Sequence, residues 1–549
     1  MEGSTNHSGF DILKLPVEVI SEVVSNVDIK TRRSLAPVCS DLYEILCHVE
    51  RDKHPLDLEY SQIFEDDETF ESVISSKREF NDLTINLKGC GVVPQCRRLE
   101  KIVQKFGFRL KKFKLWCSVQ REYAQICEDQ LMAILKCLPN VEDLTLWNIF
   151  VSSSCTQPKE LGMHKLKKLL LNYCLFDTPT VLNSLPANVL HELIFTFETN
   201  GETRFQNFFN QQKNIKKLEM FENDLITFDH LELEHLKISS DIDFAVLIGQ
   251  QPKLQYLDFT ISWIDDSVFA AVTQLKQLKT LRTLVDEISV HMFTDLKKLA
   301  KLKELRLDSH LAFECVHLLE LSMMNFADLE KLTLIYTELM IPSEVLIQMG
   351  QNFRKLKQFE VINRSINIVA TILDHFPTLE SIVFDFFAIF GAPDDVLSVE
   401  ADFRHESLKQ LVVMNVNFRK ADSTQEILKL VSACPKLEKI MLSELEAVTF
   451  QDFKNIIEQH KELTHLSLEF DSFEFTEDVI ELIKSSKKLI HLRLNGLNGL
   501  SKYLKLQATF EEIFPNITLF EYSNESGQII MKKHNTPDWY LDFKLLDHF

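Results

Sequence analysis

The 549-residue chain is 45% apolar and 26% charged, a globular balance that leaves room for several domains or one extended repeat domain. Its formal net charge of −21 argues against a duplex-binding surface, which needs clustered Lys and Arg to neutralise phosphates. Thirteen glycines leave little material for glycine-linker or phosphate-loop architectures, and eleven cysteines, odd in number and irregularly spaced, read as reduced thiols.

Residues 1–9 are small and polar, carry no apolar signal-peptide core, and are expected to be disordered. From Phe10 to about Leu56 the apolar spacing is helical: Val19, Ile20, Val23, Val24 and Val27, then Leu35, Val38, Leu42, Ile45 and Leu46. Pro16 suits a first helical position, and Asp28 to Thr31 reads as the break between helices. Residues 57–79, acidic and then mixed, read as a connector.

A repeat starts at Phe80-x-x-Leu83-x-Ile85 and recurs clearly at Leu166, Leu254, Leu302, Leu329, Leu437, Leu463 and Leu489. Looser copies begin at Leu110, Val141, Leu190, Ile215, Leu233, Leu278, Leu356, Leu379, Leu408 and Ile517. That makes about eighteen units at a period near 25 residues, within the leucine-rich range. In each, two apolar residues flank a polar one, as in a strand with one face buried. The intervening segments have helical spacing, and Ser423-x-x-Glu426 and Thr449-x-x-Asp452 read as capping boxes. One unit buries a few aliphatic side chains at ~1.5–3 kcal/mol each, less than the ~1–2 kcal/mol per residue that ordering it costs. Stacking is therefore obligatory. The unit's usual Asn or Cys is found only at Asn223 and Cys174, and the spacing varies, so irregular units are expected around residues 190–240.

The stretch Leu15-Pro16-Val17-Glu18-Val19-Ile20, followed by Val24, Leu35 and Val38-Cys39, resembles an F-box. Ahead of the repeats it makes the whole chain resemble the F-box/leucine-rich-repeat proteins, although Leu42 stands where that family usually has Trp. The resemblance implies an α/β fold: a leucine-rich-repeat solenoid, expected as an irregular horseshoe, preceded by a small all-helical F-box. The boundaries are 10–56 for the F-box, 57–79 for the connector, 80–522 for the repeats and 523–549 for a C-terminal cap or tail. It also implies a substrate receptor of a Skp–cullin–F-box ubiquitin ligase, docking on a Skp-family adaptor and through it on a cullin and a RING subunit. Leu15, Pro16, Glu18, Ile20, Val24, Leu35 and Val38 would form the adaptor site. The alternative is a leucine-rich-repeat scaffold unconnected with ubiquitin.

No catalytic residue, metal or cofactor is expected. His-Glu-x-x-His, Cys-x-x-Cys, Gly-x-Ser-x-Gly, Walker and dinucleotide fingerprints are all missing, and Cys39, Cys137, Cys174 and Cys434 sit at core-pattern positions. No segment approaches the ~20 apolar residues of a membrane span; the expected setting is cytoplasmic and/or nuclear, without membrane or nucleic-acid partners.

Pleat alternation puts the residue between each strand's two apolar positions on the concave face. There Arg282 and Arg306, one repeat apart with Lys303 nearby, are placed to clamp a carboxylate or phosphate, or else to pair with neighbouring acids. Further along, Ile335, Ile362, Val383, Val412, Met414 and Met441 make an apolar patch expected to bind the target protein, with the 386–400 segment at its edge. Two other readings stay open: that these residues are core, or that the C-terminal tail covers them through Trp539, Tyr540 and Phe543.

Overall fold

The computed structural model describes residues 15–27, 29–35, 38–50, 55–87, 96–119, 123–154, 160–196, 205–221, 227–239, 244–261, 266–285, 295–309, 315–335, 341–363, 366–386, 398–400, 402–414, 421–445, 448–474, 476–498, 514, 516–524 and 527–532. The chain divides into two compact units, Met1–Leu254 and Gln255–Phe549.

The first unit opens with helices Val17–Asn26, Ile29–Leu35 and Ser40–Glu50. Ile20 and Val24, four apart on one helical face, meet Leu42, Ile45 and Leu46 in a small core against which Leu15, Leu35, Cys39 and Val49 pack. Pro16 is the cap rather than the first helical residue; its ψ of 144° is extended, and its carbonyl accepts from the Val19 and Ile20 N–H groups. The strand Leu56–Glu59 pairs parallel with Asp82–Asn86, so sheet structure begins ahead of the first leucine repeat. Between them, helix Asp67–Ser75 is capped by Asp66, whose carboxylate accepts from the Thr69 N–H at 3.0 Å.

From Asp82 the strands follow in parallel register: Leu83, Phe113, Leu144, Leu169, Leu193, Leu218 and Leu236 form one buried column. Ile85, Leu115, Leu146, Leu171, Phe195, Met220 and Ile238 form the second. The units around residues 190–240 keep this register without a shift, correcting the irregularity expected of their strands. Phenylalanines fill the space behind them, Phe195 meeting Phe205 and Phe209 edge-on at 5.7 and 5.6 Å. Cys174 is buried and its thiol donates to the Leu146 carbonyl at 3.2 Å.

The second unit repeats the plan from Tyr256–Ile261 to Leu519–Asn524. One core column runs Leu257, Leu281, Leu305, Leu332, Phe359, Ile382, Leu411, Ile440, Leu466 and Leu492. Helices such as Ser343–Asn352, Asn367–His375 and Phe450–Gln459 return the chain between strands and bury one face each. Thr449 and Asp452 form the expected capping box, with the Asp452 N–H donating to Thr449 Oγ1 at 3.2 Å and the Thr449 N–H to the Asp452 carboxylate at 2.9 Å. The helix expected to begin at Ser423 begins earlier, at Ala421, and Glu426 accepts from the Val399 N–H at 2.9 Å. The last strand, Gly527–Lys532, pairs antiparallel with Leu519–Asn524.

Successive repeats are also joined ahead of their strands. The Glu330 N–H donates to the Lys303 carbonyl, Lys357 to Glu330, Glu380 to Lys357 and Lys409 to Glu380, so charges alternate along that edge. Glu330 takes both Lys303 and Lys357, at 2.9 and 3.1 Å. Such exposed pairs contribute little individually, ~0–1 kcal/mol, but their alternation matches the order of the repeats. At Gly350 an added Cβ would lie 2.4 Å from the His375 carbonyl oxygen, so successive repeats approach too closely there for a side chain. The strand-and-helix repetition in both units is that of a leucine-rich-repeat solenoid.

Candidate docking faces

The N-terminal helices separate the seven residues expected to meet an adaptor. Ile20 and Val24 are buried and Leu15 and Leu35 pack on them, so these four build the module rather than present it. Pro16, Glu18 and Val38 are exposed. The outward face has further residues that the pattern did not single out: Val17, Val19 and Val23, which with Val38 are 43–64% exposed. Val19 and Val23 share one helical face while Ile20 and Val24 share the next, and the spacing does not say which faces outward. A groove of about 370 Å³ between the first and third helices is lined by Leu15, Val17, Ile20, Ser21, Asp41, Glu44 and Ile45.

In the second unit Arg282 and Arg306 occupy adjacent register positions, but neither offers a clamp. Arg282 donates to Glu304 through Nη2 and Nε at 2.7 and 3.1 Å and lies over the Tyr256 ring at 5.5 Å. Arg306 donates to Asp308 at 2.8 and 3.0 Å. Burial, with the Asp258 carboxylate beside it, holds the Tyr256 hydroxyl well above the usual phenol range. Both guanidinium groups are committed within the strand face, which corrects the clamp. Lys303 lies on the neighbouring edge, paired to Glu330. Beyond them Lys331 and Thr333 converge on Glu360 at 2.5 and 2.8 Å.

The apolar patch assembles as a cluster of Ile335, Ile362, Val383 and Val412, with Met414 and Met441 packed against it. The first four are at most 1% exposed, so they are interior and not the open target surface that alternation suggested, while Met414 and Met441 are half-buried. Alternation fixes which face a side chain occupies; it does not report what lies over that face. The edge segment 387–397 and the residues Trp539, Tyr540 and Phe543 lie outside the described residues.

The strand face of the first unit went unremarked in the sequence. Its leading row, in register, reads Asp82, Lys112, Asp143, Lys168, Glu192, Lys217 and His235. Glu192 takes Lys217 and Lys168 at 2.9 and 3.3 Å. Glu219 takes Lys217 at 3.0 Å and faces His235 at 3.6 Å; these contacts, His235 first, hold its carboxyl down to about 2. The far row carries Trp116 beside Trp147, ring centroids 6.4 Å apart. Superposing the repeats at their leucines would have shown a Trp immediately after the second core residue in both units, after Leu115 and Leu146.

Among the described residues no group of three or more His, Cys, Asp or Glu is placed to hold a metal ion, and no helix is long and apolar enough to cross a membrane. Burial pushes the Cys174 and Cys434 thiols up to about 12, far from a reactive thiolate.

No protein-family model matches the chain, and no curated protein matches it. Among solved structures it is similar to a chain of the Rad7 and Elc1 complex in yeast, at 15% identity and a TM-score of 0.36, covering 72% of this chain and 93% of that one. A leucine-rich-repeat protein of Leptospira interrogans is similar at 17% identity and a TM-score of 0.30, covering 82% and 97%. The TLR13–ssRNA13 complex gives 15% and 0.38, covering 76% of this chain and 58% of that one. At these scores the likeness goes no further than the repeat fold, and says nothing of partners.

Proposed function

We propose that this chain is a non-catalytic substrate-recognition adaptor of a Skp–cullin–F-box ubiquitin ligase, with its N-terminal helices docking on a Skp-family adaptor and its repeats binding a target protein. The observation that carries this reading is the exposure of Val17, Val19, Val23 and Val38 on a module that already has a closed core of its own. Of the twelve large apolar residues found exposed among the described residues, three fall on the first helix and a fourth, Val38, just ahead of the third, a density that calls for a covering partner. The sequence of the module, with Leu15-Pro16 opening the first helix, agrees with an F-box. A receptor of this kind forms no bond itself. It holds the target near the charged ubiquitin carrier, raising local concentration and restricting orientation. The free thiols of Cys39, Cys47, Cys117 and Cys434 agree with a cytoplasmic or nuclear setting.

The test is reconstitution. Full-length protein co-expressed with a Skp-family adaptor, cullin and RING subunit should co-elute as one complex. Recovery of the chain free of the adaptor would refute the ligase reading and leave a leucine-rich-repeat binding protein.

A further inference from the structure

One end of the strand face in the first unit combines groups that its own chain leaves unmatched. Lys114 and Trp116 lie two apart on the strand Lys112–Trp116 and so share a face, and Trp147 is the register partner of Trp116. The Lys114 ammonium sits 4.7 Å from the Trp116 ring centroid and 5.4 Å from that of Trp147. Both indoles are half-buried. On the preceding strand Asn86, in register with Trp116, is only 9% exposed, and its Oδ1 has no hydrogen-bond partner. Trp116 Nε1 is buried with no acceptor.

The charges single out Lys114 as well. Lys168 and Lys217 are paired to Glu192, and Lys112 lies in register between Asp82 and Asp143. Lys114 makes no ion pair among the described residues; its contacts are the two indole rings. The face as a whole carries five lysines (Lys112, Lys114, Lys168, Lys217, Lys237) and six carboxylates (Asp57, Glu59, Asp82, Asp143, Glu192, Glu219), a balance of −1, so the preference for an acidic ligand rests on Lys114 itself.

A buried donor and a buried acceptor side by side, next to a cation held over aromatic rings, call for a ligand with matching groups. A peptide group brings an N–H and a C=O together, so either orientation of the Asn86 amide is met. An acidic side chain meets Lys114, and an apolar neighbour covers the indoles, residues that dominate protein-binding sites. A nucleic acid fits poorly, because six carboxylates on the same face, Glu59 in register with Asn86 among them, repel its phosphates. We propose that Asn86, Lys114, Trp116 and Trp147 form a binding site for an extended protein segment bearing Asp or Glu. This rests on the repeats being a protein-binding surface and is independent of the ligase link.

The test uses full-length protein without any adaptor, so its failure leaves the docking of the N-terminal helices untouched. The probes are two capped pentapeptides, Val-Glu-Val-Glu-Val and Val-Lys-Val-Lys-Val, followed by tryptophan fluorescence and calorimetry. The acidic peptide is expected to bind saturably, at least about tenfold tighter than the basic one, and to weaken as salt rises. Trp147→Ala should weaken it about tenfold or more at an unchanged melting temperature, and Trp147→Phe should retain most of the affinity. Lys114→Glu should reverse the preference towards the basic peptide, which a purely structural lysine would not do. No saturable binding of the acidic peptide, an unaltered preference in Lys114→Glu, or tighter binding of a single-stranded oligonucleotide would each overturn the proposal.

Discussion

Val412 decides whether the apolar cluster of the second unit is interior or surface. Its side chain is fully buried between Val383 and Met441, its register partners, within the cluster that includes Ile335 and Ile362. Val412→Ala removes two carbons at ~0.8 kcal/mol each and leaves a small cavity, a loss of about 2 kcal/mol. Val412→Asp adds a carboxyl group with no partner, at ~1–3 kcal/mol more, in a region that already holds the buried Asp385. At ~2–4 °C per kcal/mol for a large domain, the alanine variant should melt about 4–8 °C lower and the aspartate variant about 6–20 °C lower. Val316, exposed on the helix Cys315–Ser322, is the control; Val316→Ala should stay within about 0.5 kcal/mol of the parent. Differential scanning calorimetry of full-length protein reads both. A Val412→Asp protein that melts within 1 °C of the parent would show the patch to be open and would restore it as a target surface.

Two further outcomes follow from the same structure. His460 is buried with neither ring nitrogen hydrogen-bonded, and burial holds its pKa down to about 4, below its ordinary 6.5. Its folded form resists protonation, so the stability present above pH 6.5 is lost as pH falls towards 4, about 2 kcal/mol of it by pH 5. Burial, with His491 and Lys439 nearby, likewise lowers His465 to about 3, extending the loss to lower pH; His460→Gln should flatten the decline between pH 6.5 and 5 in urea titrations. Thr449→Ala removes the cap of the helix Phe450–Gln459 and should cost about 1 kcal/mol, with Thr449→Ser restoring most of it.

The repeat was legible because its leucines set the pleat: all eighteen starts, from Phe80 to Ile517, lead into strands, and within each unit neighbouring repeat strands pair parallel, with register shifts at Leu442–Leu445 and Glu469–Phe473. Five further strands did not declare themselves: Leu56–Glu59 and Gly527–Lys532, whose pairing comes from the neighbouring strand, and the short Ala124–Cys127, Ile149–Ser152 and Leu175–Phe176, which form a separate parallel sheet. At the candidate sites, Arg306 and Asp308 stand two apart on one strand and share a face, so their pairing was readable. The Arg282–Glu304 pair depends on register between repeats and was not. The burial of Val383 and Val412 was likewise illegible, since period-2 spacing distinguishes two faces but not a covered face from an open one. On the first helix, apolar spacing marked Ile20 and Val24 but could not tell their inward face from the outward face of Val19 and Val23.

That adjacent pair gives the most direct test of the adaptor reading, because Val23 is 46% exposed and Val24 only 1%. The measurement is the affinity of full-length protein for a purified Skp-family adaptor by calorimetry, with circular dichroism on the same samples. The prediction is that Val23→Asp weakens binding at least about tenfold with helicity and melting temperature unchanged, the behaviour of an apolar anchor at an interface. Val24→Ala should instead lower stability and, well below its melting temperature, bind within a few-fold of the parent. A Val23→Asp protein that binds as tightly as the parent, or a parent chain with no measurable affinity for the adaptor, would contradict the account.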